Sequence, residues 1–317
     1  MLQKLRVSKL RKNQSAANVE ATSKYILIQL TSELYKHNIV NELTPEDICL
    51  VIDYLAQPQR KLIIEKLLTQ LHEHEDKSKL ENWLKDPLLQ ENLQFVNITF
   101  SIILNKITNS FKILNENNGS STALNFFTSC NFFNEDNEIV QEELNKLGEN
   151  IKELLDERKK IGKLLKKKIE ELKLKEYVNV LKILPLQYVP NEVRTLAFVF
   201  VNFLAIISSK DEIIFKDLLS IIYKILNVKG EVIRCVDVGL CVKWLVELDD
   251  WKEETRIVRY KIIECLIKFA NTKKSLDEIG VLLKMLKKRK IEDENCLFEA
   301  EVLVYEDLRK VSENLLM

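Results

Sequence analysis

Histidine and cysteine, the side chains that most often carry chemistry, are few in this chain and form no recognisable site. The three histidines are His37, His72 and His74. His72 lies three residues before Glu75, a spacing that places both side chains on one face of a helix and could hold a divalent cation. The zinc-protease motif H-E-x-x-H and the di-iron motif E-x-x-H are both absent. The sequence therefore predicts no metal site.

The cysteines and glycines also lack the spacing that catalysis needs. The six cysteines form no C-x-x-C pair, and five lie in apolar helical stretches, where a thiol packs as a small hydrophobic group. This usage favours a reducing compartment, the nucleus or cytoplasm, over a disulfide framework. The glycines are scattered singly, so neither glycine-rich phosphate loop is present. The sequence predicts no catalytic residue, no cofactor and no enzymatic activity.

Basic side chains in two places have the chemistry to contact phosphate groups or an acidic partner. One group lies in residues 1–18 and the other on a lysine-rich helix face within residues 159–168. The candidate contacts are Lys4, Arg6, Lys9, Arg11, Lys12, Lys159, Lys160, Lys163 and Lys167. The whole chain has 48 basic and 48 acidic residues, so it has no overall attraction to nucleic acid. A nucleic-acid-associated module is therefore the second functional hypothesis.

The N-terminal arm, residues 1–18, contains no acidic side chain and has four interpretations. It is a solvated extension, a contact for an acidic partner or nucleic acid, a nuclear address, or a mitochondrial transit peptide. It lacks the apolar core of a secretory signal. No stretch of the chain reaches the roughly 18–20 uncharged apolar residues of a membrane span, so no membrane partner is expected.

Composition and periodicity both predict an all-α fold. Only 6 glycines and 5 prolines occur in 317 residues, which favours long helices with short connections over sheets with many tight turns. Apolar residues recur by threes and fours along most of the chain. The stretch 193–207 is apolar on nearly every face, so it must form a helix that is buried on more than one side.

The C-terminal region, residues 190–317, has the pattern of stacked antiparallel helical hairpins. Similar apolar helices begin at Glu192 and Glu231, which are 39 residues apart. Helical pairs that recur at about 40 residues resemble HEAT- and armadillo-type repeats in period and pattern. The resemblance implies an α-solenoid, in which adjacent hairpins bury each other's apolar faces. Ser209 and Glu212 fit the capping box at the start of one of these helices.

The N-terminal helical region, residues 19–137, contains several amphipathic helices. Thr44 is the predicted cap of one of them, because a proline and two acids follow it. Another helix is predicted to run from Pro87 to Leu114. The aromatic stretch 123–133 is expected to pack in the core, with an exposed docking patch as the alternative.

Residues 138–185 are highly charged, and their apolar residues recur every seven positions. This rhythm predicts a long charged helix near the middle of the chain, or a hairpin broken near Gly148 or Gly162. Such a helix can bridge two helical halves in solvent. Alternatively, it can form a coiled coil with a second copy or with a partner helix.

Stacked hairpins without site chemistry are typical of binding proteins. The sequence therefore predicts a non-enzymatic helical scaffold or adaptor, which binds another protein along a groove as a subunit of a larger complex.

Overall fold

The computed structural model of the chain describes residues 44–55, 57–73, 77–118, 121–134, 138–168, 173–209, 211–228, 245, 258–259, 261–263 and 265–266. Within these residues there are eleven bounded α-helices and no β-strand, which confirms the all-α prediction. None of the helices in this part of the chain is long and apolar enough to cross a lipid bilayer. The basic arm 1–18 and the repeats predicted beyond residue 228 lie outside it, apart from the few residues named above.

Close packing divides the chain into two compact units. The first comprises Met1–Asn105, Phe133–Glu138 and Ile183–Pro185. The second comprises Lys106–Phe132, Ile139–Lys182 and Leu186–Met317.

The first unit contains four short helices and the beginning of a long one. They are α1 (Pro45–Tyr54), α2 (Gln57–Glu73), α3 (Lys77–Leu84), α4 (Pro87–Glu91) and α5 (Leu93–Asn118). Helix α1 packs against α4, and α3 packs against both α2 and α4. As predicted, α1 begins after Thr44, whose side chain accepts the Asp47 N–H while the Asp47 carboxylate accepts the Thr44 N–H. This reciprocal pair satisfies two backbone donors that the helix itself leaves unpaired.

The helix predicted from Pro87 to Leu114 is divided in two. It is interrupted at Asn92, whose Oδ1 accepts the backbone N–H of Phe95 at 3.0 Å. An asparagine in this position caps the following helix, because its side chain replaces the carbonyl acceptor that the first turn lacks. The apolar periodicity continues across the break, so it did not reveal the interruption.

The second unit contains the end of α5 and six further helices. They are α6 (Thr122–Ser129), α7 (Gln141–Glu149), α8 (Ile151–Lys168), α9 (Leu174–Ile183), α10 (Asn191–Ile207) and α11 (Glu212–Leu226). Helix α10 packs against α7, α8 and α11, and α8 packs against α6 and α7. Every residue of Val193–Ile207 is buried, so the prediction of a helix that is buried on more than one side is confirmed.

Helix α10 has three buried polar side chains, Arg194, Thr195 and Asn202, and each bonds to the backbone or first turn of the helix. Thr195 Oγ1 donates to the Asn191 carbonyl and Asn202 Nδ2 donates to the Phe198 carbonyl, each at 2.7 Å. Arg194 Nη2 donates to Asn191 Oδ1 at 3.0 Å. These bonds reduce the cost of desolvating polar groups in an apolar interior.

An aromatic stack joins α6 to α10. The rings of Phe127 and Phe203 are nearly parallel at 12°, with centroids 4.0 Å apart. Phe200 lies parallel to Phe127 at 5.8 Å, and Phe132 is tilted against it at the same distance. Such pairs add roughly 0.5–1.5 kcal/mol to the gain from burial alone. Much of the aromatic stretch 123–133 therefore packs in the core, as expected.

The charged middle stretch forms the three helices α7, α8 and α9. The first break is a turn at Asn150, two residues after Gly148, and Gly162 lies within α8. Of the seven-residue repeat, Leu147, Leu154 and Ile161 are buried, and the helices that carry them pack against α10. These positions therefore serve the core of this unit.

The capping box predicted at Ser209 and Glu212 is wrong. The residue that caps α11 is Asp211, whose Oδ1 accepts the Ile214 N–H at 3.0 Å. The N-cap is therefore the carboxylate of Asp211, two residues after the serine that the motif predicted. It also places a negative charge at the positive end of the helix dipole.

Gly162 lies where α8 comes close to the backbone of α10. A Cβ added there would lie 3.4 Å from the Ile207 carbonyl oxygen, an ordinary contact for alanine but not for a longer side chain. We expect Gly162→Ala to keep or raise the free energy of unfolding, by up to about 1 kcal/mol, through helix propensity. Gly162→Leu should lower it by about 1–3 kcal/mol through overpacking. Urea unfolding measures both, and equal stability of the two variants would contradict this packing.

Candidate functional site

The candidate lysines that the structure describes lie on the surface of α8. Lys159, Lys160 and Lys163 are exposed, and Lys159 and Lys163 are one turn apart on the same helix face. Lys167 belongs to α8, but its side chain lies outside the described part. The remaining candidates lie outside the described residues: Lys4, Arg6, Lys9, Arg11 and Lys12.

Charge changes sign along α8. Glu153 and Asp156 are exposed in its N-terminal half, and the lysines follow in its C-terminal half. This order complements the helix dipole, which favours anions near the N-terminus and cations near the C-terminus. Lys160 also lies close enough to Glu157 to favour its charged form. The lysine face therefore has a structural role as well as the chemistry to contact phosphate.

Two of the three described thiols, Cys49 and Cys130, are poor nucleophiles. Burial and a hydrogen bond with Glu143 raise the pKa of Cys130 to about 12, and burial also raises the pKa of Cys49. Cys130 Sγ donates to the Phe126 carbonyl at 3.3 Å. Because the thiolate is the reactive form, these thiols remain protonated near neutral pH.

The structure brings no metal ligands together in the part of the chain that it describes. No group of three or more histidine, cysteine or acidic side chains there has the geometry to hold an ion. The backbone of His72 belongs to α2, but its side chain and the whole of His74 and Glu75 lie outside the description, as does His37.

One surface feature of the second unit is a shallow apolar cleft that opens to solvent and encloses about 10 Å³. Helix α10 supplies Val199 and Phe203, and the turn between α7 and α8 supplies the only polar lining residue, Asn150. The other lining residues come from α6, α7 and α8: Ala123, Phe126, Leu147 and Leu154. We call this feature the Phe126 cleft. Its lining comes from four helices, so no local sequence motif predicts it.

One signal in the sequence could have pointed to the cleft. Phe126 and Phe127 are adjacent on α6, so their side chains point about 100° apart and do not face the same neighbours. Phe127 is fully buried in the aromatic stack, whereas Phe126 remains half-buried at the cleft. The expected core role is therefore correct for Phe127, whereas Phe126 lies at the solvent-open cleft.

The carboxylate of Glu157 caps the N-terminus of α6, whose residue Ala123 lines the cleft. It accepts the Ser121 hydroxyl and the backbone N–H groups of Ala123, at 3.0 Å, and Thr122, at 3.2 Å. Burial acts to raise the pKa of Glu157, but these hydrogen bonds outweigh it and leave the pKa below its ordinary value of 4.5. The arrangement fixes the N-terminus of α6, and with it Ala123, against α8.

The chain matches no protein-family model, no curated protein and no solved structure.

The cap predicts a pH-dependent contribution to stability. Glu157→Ala should lower the free energy of unfolding by about 1–3 kcal/mol, because three donors lose a charged acceptor. Since the folded pKa is below the unfolded one, the charged group's contribution is full above pH 4.5 and is lost as the pH falls through the folded value. The stability difference between wild type and Glu157→Gln should therefore shrink in acid.

Urea unfolding between neutral pH and acid measures this difference. Glu116→Gln is the matched control, because Glu116 is an exposed glutamate on α5, in the same unit. Its effect should stay within about 0.5 kcal/mol. A difference for Glu157→Gln that does not change with pH would contradict the cap.

Proposed function

We propose that the chain is a non-enzymatic α-helical scaffold or adaptor that binds another protein, as a subunit of a larger complex in the nucleus or cytoplasm. The observation that carries this proposal is the Phe126 cleft. Its lining is apolar apart from Asn150, and it is open to solvent. Covering this apolar lining with a partner's apolar groups removes hydrocarbon surface from water, which favours association.

The size of the cleft excludes a cofactor. Small-molecule sites usually enclose about 300–1,000 Å³. The enclosed space of the Phe126 cleft is about 10 Å³, room for about one water molecule. A partner would therefore pack apolar side chains against the lining at the surface, in the way that helical partners cover shallow grooves.

We also propose that α10 and α11 are the first hairpin of an α-solenoid that continues towards the C-terminus. Two features support this proposal. The two helices are joined by a short connection and pack against each other. In sequence, a helix similar to α10 begins 39 residues after Glu192, at Glu231. Repeats of this period stack into curved surfaces that suit extended partners.

Native co-purification tests the proposed function. The tagged full chain, isolated from its own cells, should carry one protein at close to equal stoichiometry. Phe126→Ser should reduce that protein at least about tenfold, because it removes an apolar wall of the binding site. Ile113→Ser is the control, since Ile113 is an exposed apolar residue of α5 in the same unit.

Circular dichroism establishes that both variants remain folded. A chain isolated without any stoichiometric partner, or a partner retained equally by both variants, would contradict the proposal.

Nucleic-acid binding is the second candidate, and one observation favours it. Lys159, Lys160 and Lys163 are exposed within two turns of α8. Against it, Glu153 and Asp156 are exposed on the preceding turns and repel phosphate.

A mobility-shift assay separates the two candidates. If the lysines bind nucleic acid, affinity should fall steeply with salt, and replacing Lys159 and Lys163 by Gln should reduce the logarithmic salt slope by about two. Absence of a shift at low salt would eliminate this candidate. A shift that keeps its slope in the double variant would show that α8 is not the contact.

A further inference from the structure

Helix α6, which carries Phe126, is short enough that contacts at its ends matter to its position. It spans the eight residues Thr122–Ser129. A helix of this length is marginal on its own, because the N–H groups of its first turn and the carbonyls of its last turn find no partner within it. Ala123, Leu124 and Phe127 attach one side of α6 to the core. Contacts at the two ends supply the remaining restraint.

The N-terminal end of α6 is held by α8. Glu157 of α8 accepts the backbone N–H groups of Thr122 at 3.2 Å and Ala123 at 3.0 Å. The N–H of Leu124 donates to the Ser121 hydroxyl at 3.2 Å, and that hydroxyl in turn donates to Glu157. One carboxylate from a neighbouring helix therefore holds the whole first turn of α6, directly or through Ser121.

The C-terminal end of α6 is held by α7. Glu143 of α7 accepts the backbone N–H of Asn131 and forms a hydrogen bond with the thiol of Cys130, the first two residues after α6. Lys146 pairs with Glu143 at 3.0 Å, and this hydrogen bond is the main reason that the pKa of Glu143 lies below its ordinary value of 4.5. The carboxylate is therefore charged at neutral pH, where hydrogen bonds to it are strong.

The two helices that hold α6 also form walls of the Phe126 cleft. Leu147 lines the cleft and lies four residues after Glu143 on α7, and Leu154 lines it three residues before Glu157 on α8. Residues three or four apart share one face of a helix. Each of these walls therefore has, on one face, a leucine that lines the cleft and a carboxylate that holds one end of α6.

We propose that Glu143 and Glu157 are positioning residues of the Phe126 cleft: they hold the two ends of α6 against α7 and α8, so that Phe126 is in place before a partner binds. The inference rests on the proposed function and identifies what prepares its binding surface. A preformed surface binds more tightly, because the cost of ordering it is not taken from the binding free energy. Loss of either carboxylate releases one end of α6 and weakens binding through Phe126.

Fluorine NMR of the folded full chain tests the position of Phe126. A para-fluorophenylalanine at position 126 should give one resonance, displaced from that of the urea-unfolded chain because the ring is held at the cleft. Glu143→Ala should move this resonance towards the unfolded position or add a second one, and Glu157→Ala should act in the same way from the other end. Lower global stability alone leaves the resonance of the folded chain unchanged, because the unfolded fraction stays negligible.

Glu142 provides the matched control. It is the neighbouring residue on α7, and its described ion pair, with the same Lys146 at 2.9 Å, does not involve α6. Glu142→Ala should leave the fluorine resonance at its wild-type position. Glu143→Gln keeps an acceptor for the Asn131 N–H, so it should shift the resonance less than Glu143→Ala does.

Equal spectra for Glu142→Ala and Glu143→Ala would overturn the inference. If Glu143→Ala fails to fold, Glu143→Gln and Glu142→Gln provide the same comparison: the first should shift the resonance and the second should not, and equal spectra again overturn the inference.

Co-purification from native cells tests the consequence for binding. Glu143→Ala should retain at least about threefold less partner than wild type, and Glu142→Ala should stay within about 1.5-fold of it. A partner that is lost with Phe126→Ser but retained in full by Glu143→Ala would contradict the positioning role and support the proposed function. A displaced fluorine resonance in a chain that has no partner would support the restraint on α6 and contradict the proposed function, so the two proposals fail separately.

Discussion

The burial of α10 on every side is the constraint on which the second unit depends. Within this helix, the run VRTLAFVFVNFLAII (Val193–Ile207) offers no face to water, so other elements must cover it completely. Helices α7, α8 and α11 pack against it, and the Phe127 ring of α6 stacks on Phe203. Each large apolar side chain buried in this way contributes roughly 1.5–3 kcal/mol. The surrounding helices are positioned by this shared core.

Polar interactions then determine how the covering helices end and meet. Glu157 ties the first turn of α6 to α8, and the turn at Asn150 separates α8 from α7. The Phe126 cleft lies among these elements, above the side chains of α10 that line it. The candidate binding surface is therefore a consequence of how the helices that cover α10 are assembled.

Local signals in the sequence predict local structure well. The cap at Thr44 follows from side chains within three residues, and the burial of α10 follows from its composition alone. The break at Asn92 was missed, because an asparagine within an apolar rhythm can continue a helix or cap a new one, and packing decides which. Glu157 is one of many charges on α8, and only folding brings it to Ser121, 36 positions earlier. The cleft, assembled from four helices, has no local signature.

Hydrogen–deuterium exchange resolved by peptide tests the central claim most directly. If α10 is enclosed on all sides, its amides exchange only when the unit unfolds, so their opening free energy should equal the free energy of unfolding measured in urea. Helix α9 has exposed residues as well as buried ones, and its amides should exchange faster. Exchange of the Val193–Ile207 amides as fast as that of α9 would show that α10 is not enclosed, and would contradict the account.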